Sequence, residues 1–304
     1  RGAEVSLDGG TGTNTLVLKT AASVDLSAAD QTGADSVNVT NFQNVDASAV
    51  SAATTIVGTS SANTITGGSG ADAIDGAGGA DAINAGSGND GVTYRGAEVS
   101  IDGGAGADTL TLSVSGGTTA VDFSVASGAD QTSGDSVAVS NFESLDASAL
   151  SSALSVTGSS SANAITTGSG ADVIDGKGGA DAIVAGGGND TAYYYGGETS
   201  IDGGTGTNSL ILEASAIINL ANANQLSFGS TTISNFQNVD ASAVSAAVAI
   251  TGSSSANVIA GGSGADVIDG NGGADVVTAG AGNDSVSYRG AEVALDGGTG
   301  TNTL

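Results

Sequence analysis

The chain has 304 residues, with 32 acidic side chains against 5 basic ones and a formal net charge of −27 at pH 7. That balance excludes a nucleic-acid backbone as partner, which needs clustered Lys and Arg, and it opposes compaction unless cations neutralise it. Neither Cys nor His is present, so disulfides, thiolate or imidazole metal sites and the commonest catalytic bases and nucleophiles are excluded.

The first segment opens as RGAEVSLDGG and runs into Gly9-Gly10-Thr11-Gly12-Thr13-Asn14. A looser stretch follows, carrying Val24/Leu26, Val37/Val39, Phe42, Val45 and Ile56. Its apolar-x-apolar spacing places both side chains on one sheet face and predicts short strands in enlarged coils. Within it, Asn41 to Val50 (NFQNVDASAV) admits one helical turn as the alternative.

From Asn63 the pattern tightens to a nine-residue beat, Gly-Gly-x-Gly-x-Asp-x-apolar-x. It is fullest at Gly67 to Asp75 (GGSGADAID) and continues as GAGGADAIN and AGSGNDGVT. Ile65, Ile74, Ile83, Val92, Ile101 and Leu110 keep phase through the YRGAEVSID segment, Tyr94 to Asp102, which lacks the glycines. Two nonapeptides make one coil of 18 residues. The fold class expected is therefore all-β: a right-handed parallel β-solenoid with calcium-binding turns.

The block returns twice. Phased apolar positions recur at Ile165, Ile174, Ile183, Ala192, Ile201 and Leu210, and again at Ile259, Ile268, Val277, Val286, Leu295 and Leu304. Large repeats thus run 1–94, 95–194 and 195–288, with a fourth beginning at 289–304. They are expected to form one continuous rod, a window of a longer polypeptide. Six extra residues in the middle repeat lie between Leu110 and Val139, split around Phe123, as suits surface turns. No apolar run approaches the roughly 20 residues needed to cross a bilayer.

Calcium takes six to eight oxygens from carboxylates and backbone carbonyls. Glycine lets the turn carbonyls approach an ion, and the Asp closes the site. Candidate ligands in the first block are Gly67, Gly68, Gly70 and Asp72, then Gly86, Gly88 and Asp90, then Gly103, Gly104, Gly106 and Asp108. The opposite row has Asn63, Gly76, Gly78 and Asp81, with Ala77 at a glycine position. In the second block they are Gly168, Gly170, Asp172, Gly176, Gly178, Asp181, Gly186, Gly188 and Asp190. In the third they are Gly261, Gly262, Gly264, Asp266, Gly270, Gly272, Asp275, Gly280, Gly282 and Asp284. On an 18-residue coil Asp72 falls beside Asp90, and Asp90 beside Asp108. Asn14, Asn208 and Asn302 stand where the motif has Asp, so an ion there is expected to be weak or missing. Asp75, Asp102, Asp175, Asp202, Asp269 and Asp296 either add a carboxylate or cap the next turn.

The motifs at 67–72, 168–172, 186–190, 261–266 and 280–284 resemble the RTX family of haemolysin-type calcium-binding repeats. The resemblance implies a parallel β-roll, multiple Ca2+ ions, calcium-dependent folding and export by bacterial type I secretion. The large repeats resemble bacterial S-layer, giant adhesin or extracellular filament proteins. The function expected is a non-catalytic structural segment of a secreted cell-surface, S-layer, matrix or filament protein. Alternatives are an adhesin stalk presenting a separate domain and an ice-binding solenoid, hinted at by Thr11, Thr13 and Thr15. Expected partners are further repeats or copies of the chain, end to end or laterally, and cell-surface polysaccharide. Neither nucleic acid nor membrane insertion is expected. Tyr193, Tyr194 and Tyr195 are the one aromatic cluster, read either as a contact platform or as strand packing.

Overall fold

The structure is a computed structural model and describes residues 5–33 and 36–304. Arg1 to Glu4, the opening of the first RGAE segment, lie outside the described residues. The described residues form short strands, nearly all of three residues, and no helix. Most of the three-residue strands bury the central residue and turn both neighbours outward, as in Ala73–Asp75, where Ile74 points inward. That is the expected consequence of a two-residue side-chain period in a strand too short to show a second inward position.

The chain divides into two compact units, Arg1–Leu150 and Ser151–Leu304. In the first, two parallel walls face each other. One joins Ser23–Asp25, Thr55–Val57, Ala73–Asp75, Gly91–Tyr94, Thr109–Leu112 and Ser144–Asp146. The other joins Thr15–Val17, Asn44–Asp46, Thr64–Thr66, Ala82–Asn84, Ser100–Asp102 and Ala138–Ser140. Consecutive strands along the chain go to opposite walls, so each coil contributes one strand to each. The register stacks like on like: Ile56 on Ile74, Val92, Leu110 and Leu145, and Leu16 on Val45, Ile65, Ile83, Ile101 and Val139. Every one of these side chains is at most 5% exposed. Burying an aliphatic side chain this fully stabilises by about 1.5–3 kcal/mol, so the two ladders are the main apolar core.

The second unit repeats the plan. Val156, Ile174, Ala192, Leu210, Val239, Ile259, Val277 and Leu295 stack along one ladder. Ile165, Ile183, Ile201 and Ile233 form a second, and Ile218, Ile250, Ile268 and Val286 a third.

The segments without glycine motifs do form enlarged coils. Asn14 meets Gln43 across 29 residues, and Asp108 meets Glu143 across 35. The helical alternative for NFQNVDASAV is corrected: Asn44–Asp46 is a strand, and Val50 N–H closes a single turn on Ala47 O at 2.8 Å. Val45 has to fill the ladder between Leu16 and Ile65, which only an extended backbone allows. The middle repeat's extra residues lie at the surface, where Ala120–Asp122 pairs antiparallel with Thr132–Ser133.

A buried glutamine closes each enlarged coil. Gln31 Nε2 donates to Leu26 O and Phe42 O, both at 2.8 Å, while Oε1 accepts Phe42 N–H at 3.0 Å. Gln131 and Gln225 repeat the clamp on Phe142 and Phe236. Of the tyrosine cluster, Tyr194 is buried and Tyr195 exposed beside Asp175, so strand packing accounts for the former. The outward column that begins at Thr15 continues as Asn44, Thr64, Ala82, Ser100 and Ala138, so that threonine holds only two of its six places. A flat threonine row does not form there.

Candidate metal centre

The Asp residues of the beat form hydrogen-bonded rows at the turns. Asp72 Oδ1 accepts the Thr54 N–H and hydroxyl at 2.7 Å. The Asp72 N–H donates to Asp90 Oδ1, and the Asp90 N–H to Asp108 Oδ1, both at 2.7 Å and 18 residues apart. The second unit has the same arrangement: Leu154 N–H to Asp172, Asp172 N–H to Asp190, Val248 N–H to Asp266 and Asp266 N–H to Asp284. The opposite turns carry shorter rows, with Asn63, Asn163 and Asn257 donating their N–H groups to Asp81, Asp181 and Asp275. The 18-residue juxtapositions read from the spacing are therefore present in the structure.

These carboxylates are deeply buried: Asp81, Asp108, Asp181 and Asp275 are 0% exposed. Asp72 and Asp266 have both oxygens satisfied, their Oδ2 atoms accepting the Gly68 and Gly262 N–H groups at 2.7 and 2.8 Å; in the others only one oxygen is satisfied. The Oδ2 atoms of Asp81, Asp90, Asp108, Asp172, Asp181, Asp190, Asp275 and Asp284 are buried with no hydrogen-bond partner. A buried carboxylate oxygen without a donor is costly, and repeated at this regularity it needs a cation or a proton. Burial pushes Asp81, Asp108 and Asp181 up to about 6, and it raises Asp90, Asp172 and Asp190 as well.

Around the orphaned oxygens the turns are stripped of side chains. A Cβ on Gly76 or Gly270 would sit 2.5 Å from Oδ2 of Asp81 or Asp275. Glycine at Gly68 and Gly70 is not required by a left-handed backbone, because neither adopts a positive φ. Their Cβ atoms would instead lie 2.2 Å from Val50 O and 2.3 Å from Ala52 C. The left-handed requirement applies to Gly86 and Gly88, and at the second glycine position of the other row it is met by Ala77, Lys177 and Asn271.

The donor set is carboxylate and carbonyl oxygen, which suits a hard divalent cation such as calcium. Among the described residues no three acidic side chains converge, so backbone carbonyls would have to complete each shell. The residues that would hold the ions are the eight aspartates with an orphaned oxygen, together with the turn backbone at their glycines.

The second carboxylates, Asp75, Asp102, Asp175, Asp202, Asp269 and Asp296, are turn caps. Each accepts the N–H two residues on. Asp75 and Asp269 also pair with Arg95 and Arg289 at the surface.

Sequence reasoning missed Glu98 and Glu198. Both are buried beside the Asp81 and Asp181 turns, where their charge helps to raise those carboxyls. Glu98 accepts the N–H groups of Arg95 and Ala97, and Glu198 those of Tyr195 and Gly196. The available signal was a Glu recurring at one place in a chain whose acids are otherwise mostly Asp.

A family model for the RTX calcium-binding nonapeptide repeat matches in four copies, over residues 57–92, 99–113, 157–192 and 251–286. The chain carries RTX repeats. These repeats bind calcium, and the matched segments contain all of the buried Asp rows. The enlarged coils fall outside them. None of the curated proteins compared matches the chain. Among the described residues no helix is long and apolar enough to cross a membrane.

Proposed function

We propose that this chain is a calcium-folded structural segment of a secreted bacterial cell-surface, matrix or filament protein. The observation that carries the reading is the recurrence of buried, half-satisfied carboxylates along both units. A catalytic carboxylate has to reach substrate, whereas these lie inside stacked turns with one oxygen tied to the neighbouring coil. Their repetition has the logic of a staple. Each ion would hold a turn against the coil beside it, and the number of staples grows with the number of coils.

Export fits the same physics. Where calcium is scarce the acidic chain is held open by its own charge, and where calcium is plentiful binding energy becomes folding energy. The outward faces carry Ser, Thr, Ala and Asp, joined in the second unit by exposed Val173, Val184, Ile217, Val258, Val267 and Val276.

The test is fractionation of the producing cells with an antibody to residues 151–304. The protein is expected in the medium or on the cell surface, and a chelator wash is expected to release or unfold the surface pool. A folded, calcium-loaded pool confined to the cytoplasm would contradict the proposal.

A further inference from the structure

The tyrosines of the middle repeat are used only in part by the ladders and not at all by the Asp rows. Tyr194 belongs to the core. Tyr193 and Tyr195, on either side of it, face outward, Tyr193 half-buried and Tyr195 exposed. The same two positions are Thr93 and Arg95 in the first repeat, and Ser287 and Arg289 in the third. There each arginine pairs with a surface carboxylate, Asp75 or Asp269. The middle repeat keeps that charge balance by another route. Lys177, where the other repeats have Ala77 and Asn271, reaches Asp175 Oδ2 at 2.6 Å. Both outward tyrosines lie near enough to act on its charge. Three changes of residue thus leave the acid neutralised and put two phenol rings at the surface. Cross-strand packing on Ile211 accounts for Tyr193. It does not account for Tyr195, which lies past the strand end and whose hydroxyl makes only a 3.4 Å hydrogen bond to Asp175.

The rings stand at the end of a trough on the same sheet face. From Tyr193 one outward column runs to Ile211 and Asp240, and beside it a second runs to Ser209 and Asn238. Between Thr191 and Val258 these columns line a groove of about 410 Å³. Four strands about 4.8 Å apart make it on the order of 14 Å long, the reach of a short oligosaccharide. Apolar carbon and hydrogen-bonding groups alternate along it. Asp240 gives Oδ1 to the Ser242 N–H at 2.8 Å, and its Oδ2 has no partner among the described residues. The corresponding groove of the first unit, between Thr55 and Thr111, has Thr93 where this one has a ring.

A straight groove of mixed polarity with an aromatic at its end suits a sugar chain. A pyranose has an apolar C–H face that stacks on a ring and a rim of hydroxyls that bond to amides, hydroxyls and carboxylates. Charge narrows the class. Asp240 lines the groove and the chain carries a net charge of −27, so an acidic glycan is repelled. Asp240 is also the one acid among the lining residues, so there is no row of carboxylates to hold a polycation. We propose that Tyr193, Tyr195 and the groove running from Thr191 to Val258 bind an uncharged polysaccharide of pyranose units, with the rings as stacking platform and Asn238 and Asp240 as hydroxyl partners. The site is absent from the first and third repeats, which keep arginine in place of Tyr195. It gives the structural segment a ligand of its own, and needs the calcium-folded reading only for the fold.

The experiment is native affinity electrophoresis of the full chain in calcium, through gels holding hydroxyethylcellulose, galactomannan or dextran. The parent is expected to be retarded by at least one of the three. Y193T/Y195R/K177A restores the residues of the first repeat, so it is expected to fold by circular dichroism and to bind at least about tenfold more weakly. Y193F/Y195F keeps the rings and is expected to stay retarded. The chain has five tyrosines and no tryptophan, so its fluorescence gives a second readout on the parent alone: the retarding polysaccharide should shield tyrosine from acrylamide quenching. A parent that none of the three retards, or equal retardation of the folded triple variant, would overturn the proposal. So would a triple variant that changes only the sedimentation of the chain, which would make the rings a contact between copies. Each of these outcomes leaves the calcium-folded reading intact, whereas a parent that does not fold in calcium would remove that reading itself.

Discussion

Removing calcium at neutral pH is expected to unfold both units, with loss of most of the β signal in far-ultraviolet circular dichroism. Adding it back should restore the signal cooperatively. The expectation follows from magnitudes. Neighbouring aspartates in a row sit one coil apart, and strands in a sheet are about 4.8 Å apart. Two unit charges at that spacing repel by about 3 kcal/mol at an effective dielectric near 20. Four such neighbours are present, Asp72 with Asp90, Asp90 with Asp108, Asp172 with Asp190 and Asp266 with Asp284. Their summed repulsion is comparable to the whole stability of an ordinary domain, about 5–15 kcal/mol. The apolar ladders cannot be enlarged to compensate, because each three-residue strand offers one inward side chain. An ion at 100 times its dissociation constant contributes about 2.7 kcal/mol per site, and several sites exceed the deficit. An unchanged spectrum in excess chelator at pH 7.5 would contradict this account.

The calcium-free chain should also respond to pH in an unusual direction, being more folded near pH 5 than near pH 7.5. Asp81, Asp108 and Asp181 are pushed by burial from 3.8 up to about 6. A group whose folded value is raised gives stability that is fully present below its unfolded value and lost as pH rises through the folded one. Between about pH 4 and 6 these three carboxyls therefore take up protons that the unfolded chain does not hold, and above 6 that advantage is gone. Asp8, Asp46, Asp75, Asp269 and Glu292 act in the opposite sense. Hydrogen bonds hold them below their ordinary values, so their contribution is lost as pH falls below about 4. They lie at or near the surface, where such contributions are small. The two sets place the optimum of the calcium-free fold between about pH 4 and 6. Urea titrations in chelator at pH 5 and 7.5 check the sign, and in millimolar calcium the difference should shrink because the ions replace the protons. Greater stability in chelator at pH 7.5 than at pH 5 would be the wrong sign.

Much of this was legible in the sequence because one period governs both core and site. A residue such as Ile74 announces the ladder, and Asp72, two positions earlier, announces the row, so a single nine-residue spacing fixes both. The enlarged coils were legible only in outline. Val45 was correctly placed as inward, but the strand at Asn44–Asp46 competed with a helical turn, because DASAV following a strand has no period of its own. Gln31 and Glu98 were invisible for a different reason. Each is a polar residue whose burial is justified by backbone groups brought to it from 11 residues away or by the turn it closes. Local spacing carries no trace of such partners. The glycines were recognised for their positions, but at Gly68 and Gly70 the structural cause is close approach of the neighbouring coil, which only the stacked structure shows.

The central claim is that calcium ions complete the orphaned carboxylates of the Asp rows. Anomalous diffraction from crystals of the chain grown in calcium tests it most directly. Ion peaks are expected beside the orphaned oxygens of Asp81, Asp90, Asp108, Asp172, Asp181, Asp190, Asp275 and Asp284. A folded chain in calcium with no anomalous peak at these oxygens would contradict the account.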